Sequence, residues 1–176
     1  IFTEEAETQV FRNIRAIDFG EVASERSYGA NADFNYRTGF GEDWTFSINQ
    51  LFFYTNLQHP ILLTAESSGS GISSFENAEG FIDTWGGETN LKLGYQNFKL
   101  LIGYTLVNAN VHSNDDHTPV PLTARHRLNN VLVYEVEEKW RAGLEAYYFS
   151  PQTLSNGQKT RDYWVTGFMA ERIWKH

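Results

Sequence analysis

Side chains in this chain alternate in character every second residue over long runs. Tyr28, Ala30, Ala32, Phe34 and Tyr36 interleave with Gly29, Asn31, Asp33, Asn35 and Arg37. One set is apolar and aromatic, the other polar and partly charged. A helix would scatter both sets around its axis, so a period of two predicts a strand with two unlike faces. Gly39-Phe40-Gly41-Glu42-Asp43 supplies a reversal. The pattern then resumes with Trp44, Phe46, Ile48, Phe52 and Tyr54 against Thr45, Ser47, Asn49 and Thr55. It returns over Trp85–Tyr95, turns at Gln96-Asn97, and continues through Phe98, Leu100, Ile102, Tyr104 and Leu106. Leu128–Val136 reverses at Glu137–Lys139 into Trp140, Ala142, Leu144, Ala146 and Tyr148, and Tyr163–Trp174 is a last run with apolar residues on both faces. The reading is all-β: an antiparallel up-and-down meander of about seven strands, with no helix.

The connections alternate as well. Three are short, at Gly39–Asp43, Gln96–Asn97 and Glu137–Lys139. Three are long and polar, at about Asn56–Ile82, Asn108–Arg125 and Ser150–Asp162. Outer-membrane barrels have this asymmetry, with short periplasmic turns and long extracellular loops. The runs also exceed the ~5–6 residues of an ordinary strand and reach the ~9–11 that a tilted membrane strand needs. Tyr28, Trp44, Tyr54, Trp85, Tyr95, Trp140, Tyr148 and Trp164 stand near run ends, where interfacial aromatic girdles form. The expected fold is therefore a section of a large transmembrane β-barrel.

Composition narrows the function classes. The 176 residues include no Cys, which excludes disulfides, a thiolate zinc site and a cysteine nucleophile. A net charge of −8 argues against nucleic acid as a partner. No run of about 20 apolar residues offers a transmembrane helix, and a mean hydropathy of −0.45 is compatible with a barrel whose interior is polar. The start at Ile1 and the stop at Ile173-Trp174-Lys175-His176 read as the ends of a fragment.

Particular residues add a resemblance. Pro121-Leu122-Thr123-Ala124-Arg125-His126-Arg127-Leu128, leading into Val131-Leu132-Val133-Tyr134, resembles a loop-to-strand passage of TonB-dependent outer-membrane receptors. Trp140…Glu145-Ala146-Tyr147-Tyr148, Tyr163-Trp164-Val165-Thr166-Gly167, and Phe11-Arg12-Asn13-Ile14 before Tyr28–Ala32 look like further strands of that family. Ala124 stands where the family often has Pro, and the chain ends on His176 where the family usually has an aromatic residue. The resemblance implies that residues 1–176 form one partial barrel domain, about the last third of a barrel of about 22 strands. The plug domain and the final strands would lie outside it. It also implies a bacterial outer-membrane location and a role in energy-coupled import of a scarce solute: a siderophore, haem, cobalamin, oligosaccharide or peptide. The implied partners are the remaining barrel and plug, outer-membrane lipid, an extracellular ligand, and the inner-membrane protein TonB acting through the plug. No cofactor is implied.

Candidate binding residues lie in the long connections. His112-Ser113-Asn114-Asp115-Asp116-His117 brings two imidazoles and two carboxylates within six residues, a composition able to ligate calcium or a transition metal. Such polarity is also ordinary in an extracellular loop, and the metal question stays open. His126, at a strand start, reads first as a hydrogen-bonded structural residue. Phe81 and Trp85, with Phe75, offer either a stacking shelf for a ligand or the upper girdle. The Ser67–Ser74 stretch lacks the basic residues of a phosphate-binding loop. Asp33, Arg37, Lys92, Lys99, Arg141 and Glu145 read as lumen charges that pair across strands. No Gly-x-Ser-x-Gly context frames a nucleophile, so no enzyme is expected. Two other architectures make distinct demands. A small closed soluble barrel binding an apolar ligand would turn Phe34, Phe46, Leu100 and Leu144 inward. An outer-membrane hydrolase would place Ser and His within hydrogen-bond reach on one wall.

Overall fold

The alternating runs form strands in the computed structural model, which describes residues 16–18, 22–63, 72–113, 116–154 and 156–174. In chain order these are β1 (Ala16–Asp18), β2 (Arg26–Phe40), β3 (Trp44–Gln58), β4 (Ile61–Leu63), β5 (Ile72–Asn77) and β6 (Phe81–Tyr95). They continue as β7 (Phe98–Ser113), β8 (Asp116–Pro119), β9 (His126–Val136), β10 (Trp140–Phe149) and β11 (Tyr163–Arg172). No helix occurs among the described residues. Eight strands form one sheet: seven follow the order β2-β3-β6-β7-β9-β10-β11, each antiparallel to its neighbours, and β8 pairs with β7 off that path. This is the meander that the period-two pattern predicts.

Register sorts the side chains into two faces. Phe40 lies opposite Trp44, Trp44 opposite Tyr95, Tyr95 opposite Phe98, and Phe98 opposite Tyr134. That aromatic row runs along the short-turn end, with ring centroids 4.3 Å apart for Trp44–Tyr95, 4.6 Å for Phe98–Tyr134 and 5.2 Å for Tyr134–Trp140. The same face carries Phe34, Phe52, Leu132, Leu144 and Phe168, all exposed, with Phe34 at 65%. Among the described residues, the buried apolar side chains are confined to Phe75, Ala124 and Pro60. The large sheet thus encloses no core of its own and presents an apolar surface far beyond what a water-soluble monomer exposes.

The short turns use one left-handed residue each: Gly41 (φ 63°), Gln96 (φ 49°) and Glu138 (φ 56°). The long connections are more ordered than their composition suggests. β3 extends to Gln58, β6 starts at Phe81, and β7 runs on to Ser113 before β8 folds back against it. Main-chain pairing continues there because the backbone ladder does not depend on apolar alternation, which stops at Asn108, Asn110 and His112. β4 and β5 pair antiparallel, and β1 adds to β5 in parallel, giving a small separate sheet.

Asn77, at the end of β5, fastens this part. Its Nδ2 donates to the carbonyls of Ala23 (3.0 Å) and His59 (2.9 Å), and its Oδ1 accepts from the Ala23 amide (2.6 Å). The Ile61 amide donates to Glu25 (2.7 Å), and Pro60 beneath it is fully buried. Asn77→Ala removes three bonds that join segments distant in sequence. Each bond contributes about 1 kcal/mol, so hydrogen exchange at Ala23 is expected to accelerate by about tenfold or more. The large sheet should keep its protection, and unchanged exchange at Ala23 would contradict the fastening role.

Candidate functional site

The long-connection end of β6 and β7 gathers several of the residues singled out by sequence. Phe81 lies opposite His112, and His112 lies opposite His117 across the β7–β8 hairpin. The Phe81 and His112 rings stack at 4.4 Å with planes 11° apart, and His112 stacks on His117 at 5.9 Å and 22°. Asp83, two residues along β6 on the same face, places Oδ1 2.6 Å from His112 Nε2. Sequence spacing gave no hint of Asp83, because its link to His112 depends on the pairing of β6 with β7. The histidine pair therefore belongs to a β-hairpin and not to an irregular loop.

Asp115 lies outside the described residues. Asp116 opens β8 opposite Ser113. Among the described residues, no group of three or more His, Asp or Glu side chains is arranged to hold a metal ion. Asp83 lies at Nε2 of His112.

Trp85 is not part of that cluster. It sits four residues along β6 from Phe81, about 13 Å away, directly opposite Tyr54. Phe75, in β5, is buried at 3% exposure. His126 opens β9 and is bonded on both sides. Its Nδ1 is 2.8 Å from the Tyr104 hydroxyl, its amide donates to Ser150 Oγ (3.0 Å), and its carbonyl accepts from the Ser150 amide (3.0 Å). Ser150 Oγ thus accepts from backbone, and the imidazole meets Tyr104 instead.

The opposite face carries the charges. Glu135 accepts from Lys99 Nζ (2.7 Å) and from Arg141 through both Nε (3.1 Å) and Nη2. Asn49 donates to Asp33 (2.6 Å), and the Tyr147 hydroxyl donates to Glu145 (2.5 Å). Cross-strand polar pairing is what sequence reading expects of Asp33, Lys99 and Arg141, whereas Glu145 pairs along its own strand with Tyr147.

Two aromatic levels bound the apolar face. Trp44 and Tyr95 pair at one level, Tyr54 and Trp85 at the other, ten residues apart on both β3 and β6. Beyond Tyr54 and Trp85 that face turns polar, with Asn56, Asp83, Asn110 and His112. The upper level slants across the sheet. The row through Trp85 crosses β7 at Asn108, whereas the row through Tyr148 and Trp164 crosses it at Tyr104, four residues nearer the short turns. Over the three strand steps from β6 to β10, that slip is about 13 Å along the strands against about 14 Å across them. Strands crossing this upper level are inclined to it by about 40–45°, within the range of membrane barrels, whereas the short-turn row from Phe40 to Tyr134 runs straight across the strands. Ten residues are about 33 Å of strand, which at the ~35–45° tilt of membrane barrels spans about the ~25 Å apolar band of an outer-membrane barrel.

An antiparallel meander with a tilted, girdled apolar face on one side and paired charges on the other is the architecture of an outer-membrane β-barrel wall. The solved FrpB iron transporter from Neisseria meningitidis (F3-3 variant) shares it, with a TM-score of 0.64 over 89% of this chain at 18% identity. The chain spans 26% of that transporter's length, so its fold is that of one section of an outer-membrane barrel. No protein-family profile and no curated protein matches the sequence.

Proposed function

We propose that residues 1–176 form one partial barrel domain, providing wall and extracellular connections of an energy-coupled receptor in the bacterial outer membrane. The receptor imports a scarce solute, of the kind represented by siderophores, haem, cobalamin, oligosaccharides or peptides. The long connections meet the ligand outside the cell, and the apolar face meets lipid. The polar face lines a lumen filled by a plug, through which TonB delivers energy. The observation that carries this reading is the slanted, girdled apolar band of membrane height on one face only. Similarity in fold to an iron transporter supports the transport role. The role assigned here is transport without catalysis. A small closed barrel is not favoured, since β2 and β11 remain unpaired edges among the described residues.

The absence of cysteine makes the test direct, because single cysteines can be introduced without background. Bimane labels at Phe34→Cys and Leu144→Cys should be quenched by lipids brominated on their acyl chains. Labels at Asn35→Cys and Glu145→Cys should not be. The reverse pattern would mean that the apolar face points into a closed barrel and would overturn the receptor reading.

A further inference from the structure

The polar face carries an aromatic row of its own near the long-connection end. Thr105, Arg127, Phe149 and Tyr163 lie opposite one another on β7, β9, β10 and β11. Phe149 and Tyr163 stack at 5.0 Å with planes 17° apart. Arg127 stands next to that stack in the register. Arg127, Phe149 and Tyr163, with Val107, Ala124 and Gln152, line a recess of about 400 Å³, a size suited to a small organic molecule.

The recess is held by its own hydrogen bonds. The Val107 amide donates to the Arg125 carbonyl (2.9 Å), and the Leu122 amide donates to the Thr153 carbonyl (2.8 Å), tying two connections together. Gln152 and Thr160 exchange two more bonds, of 2.9 and 2.8 Å. Among the described residues no carboxylate forms an ion pair with Arg127, although it is half-buried. Glu135 and Glu145, elsewhere on the same face, both have partners. Residues 120–125 and 150–162, which frame the recess, also carry Arg125, Lys159 and Arg161 against a single acid, Asp162, in a chain that is acidic overall.

A half-buried guanidinium without a counter-charge has lost water without gaining a partner, and a ligand anion restores the balance. A flat ring attached to that anion extends the Phe149–Tyr163 stack. We propose that this recess is a binding site for a small anion bearing a flat conjugated ring, such as an aryl carboxylate. Arg127 receives the charge and the Phe149–Tyr163 pair receives the ring. This assignment rests on the receptor reading for its role in uptake, while the binding itself does not depend on it.

The test is equilibrium dialysis of the detergent-purified protein against four probes: 1-naphthoate, 1-naphthylmethylammonium, acetate and methyl glucoside. Naphthoate should bind at least tenfold more tightly than each of the others. Arg127→Gln should weaken naphthoate at least tenfold, and Arg127→Lys should keep the preference for the anion with a severalfold loss. Circular dichroism checks that each variant keeps the strand content of the parent. Equal binding of the ammonium probe, tighter binding of the glucoside, or unchanged naphthoate binding by folded Arg127→Gln would overturn the assignment. The brominated-lipid pattern judges the receptor reading separately. Naphthoate binding combined with inward apolar labels would retain the site and remove the receptor.

Discussion

Phe34→Arg is expected to destabilise the protein in a lipid bilayer by about 2–4 kcal/mol, while Asn35→Arg should change stability by less than about 0.5 kcal/mol. The two residues are adjacent in β2 and differ in the face they occupy. Phe34 lies midway between Tyr28 and Phe40, far from either aromatic level, and is 65% exposed on the apolar face. A guanidinium there reaches neither interface without distorting the bilayer. Asn35 lies opposite Asn49 on the face that already carries Asp33 and Arg37, where water or polar partners solvate an added cation. Denaturant titration of both variants in dilauroylphosphatidylcholine vesicles gives the two free energies. Equal losses at both positions would show that the faces are not distinguished by lipid.

Gly86→Val should cost about 3 kcal/mol, near the upper end for overpacking. Gly86 sits on the polar face of β6 between Phe53 of β3 and Val107 of β7. A Cβ there would run into the Leu106 carbonyl on the neighbouring strand and would approach Phe53 Cζ to 2.8 Å. The carbonyl is backbone and cannot rotate away, so β6 and β7 must separate locally. Gly143 is the control. A Cβ at that position meets only Met169 Cε at 3.6 Å and the Leu132 carbonyl at 3.8 Å, both ordinary contacts. Gly143→Ala should therefore be neutral or stabilising by up to about 0.5 kcal/mol, since glycine is entropically unfavourable in a strand. Thermal or denaturant unfolding of the pair separates the two cases. A Gly86 variant as stable as its Gly143 counterpart would contradict the close approach seen here.

The sheet was legible in sequence because its signal is local. Tyr28–Tyr36 and Trp44–Tyr54 declare their faces within one run, and Gly41 marks its turn. Gln96 and Glu138 adopt the same left-handed backbone without glycine, so those turns were found from the runs around them. β4, β5 and β8 were missed because three to six residues carry little periodicity and are held by partners elsewhere. The sites depend even more on register. His112 and His117 were visible as a cluster, but Asp83 joins them from a strand about thirty residues earlier. Arg127, Phe149 and Tyr163 become a row only when three strands are aligned. Sequence offered the Arg125-His126-Arg127 triplet as a signal, with no means of saying which member faces the aromatic pair.

The slanted aromatic level also shapes the outer contour of this wall. β3 and β6 continue four residues past Tyr54 and Trp85, and β7 runs five past Asn108 at the same level, whereas β10 stops one residue past Tyr148 and β11 starts one before Trp164. At the strand tilt usual in membrane barrels, the first group stands about 10 Å beyond the upper aromatic level while the second ends nearly at it. The strand ladder therefore steps down at β10 and β11, and the bridged connection of residues 150–162 takes its place there, so the recess lined by Arg127, Phe149 and Tyr163 is bounded by a loop and not by strand.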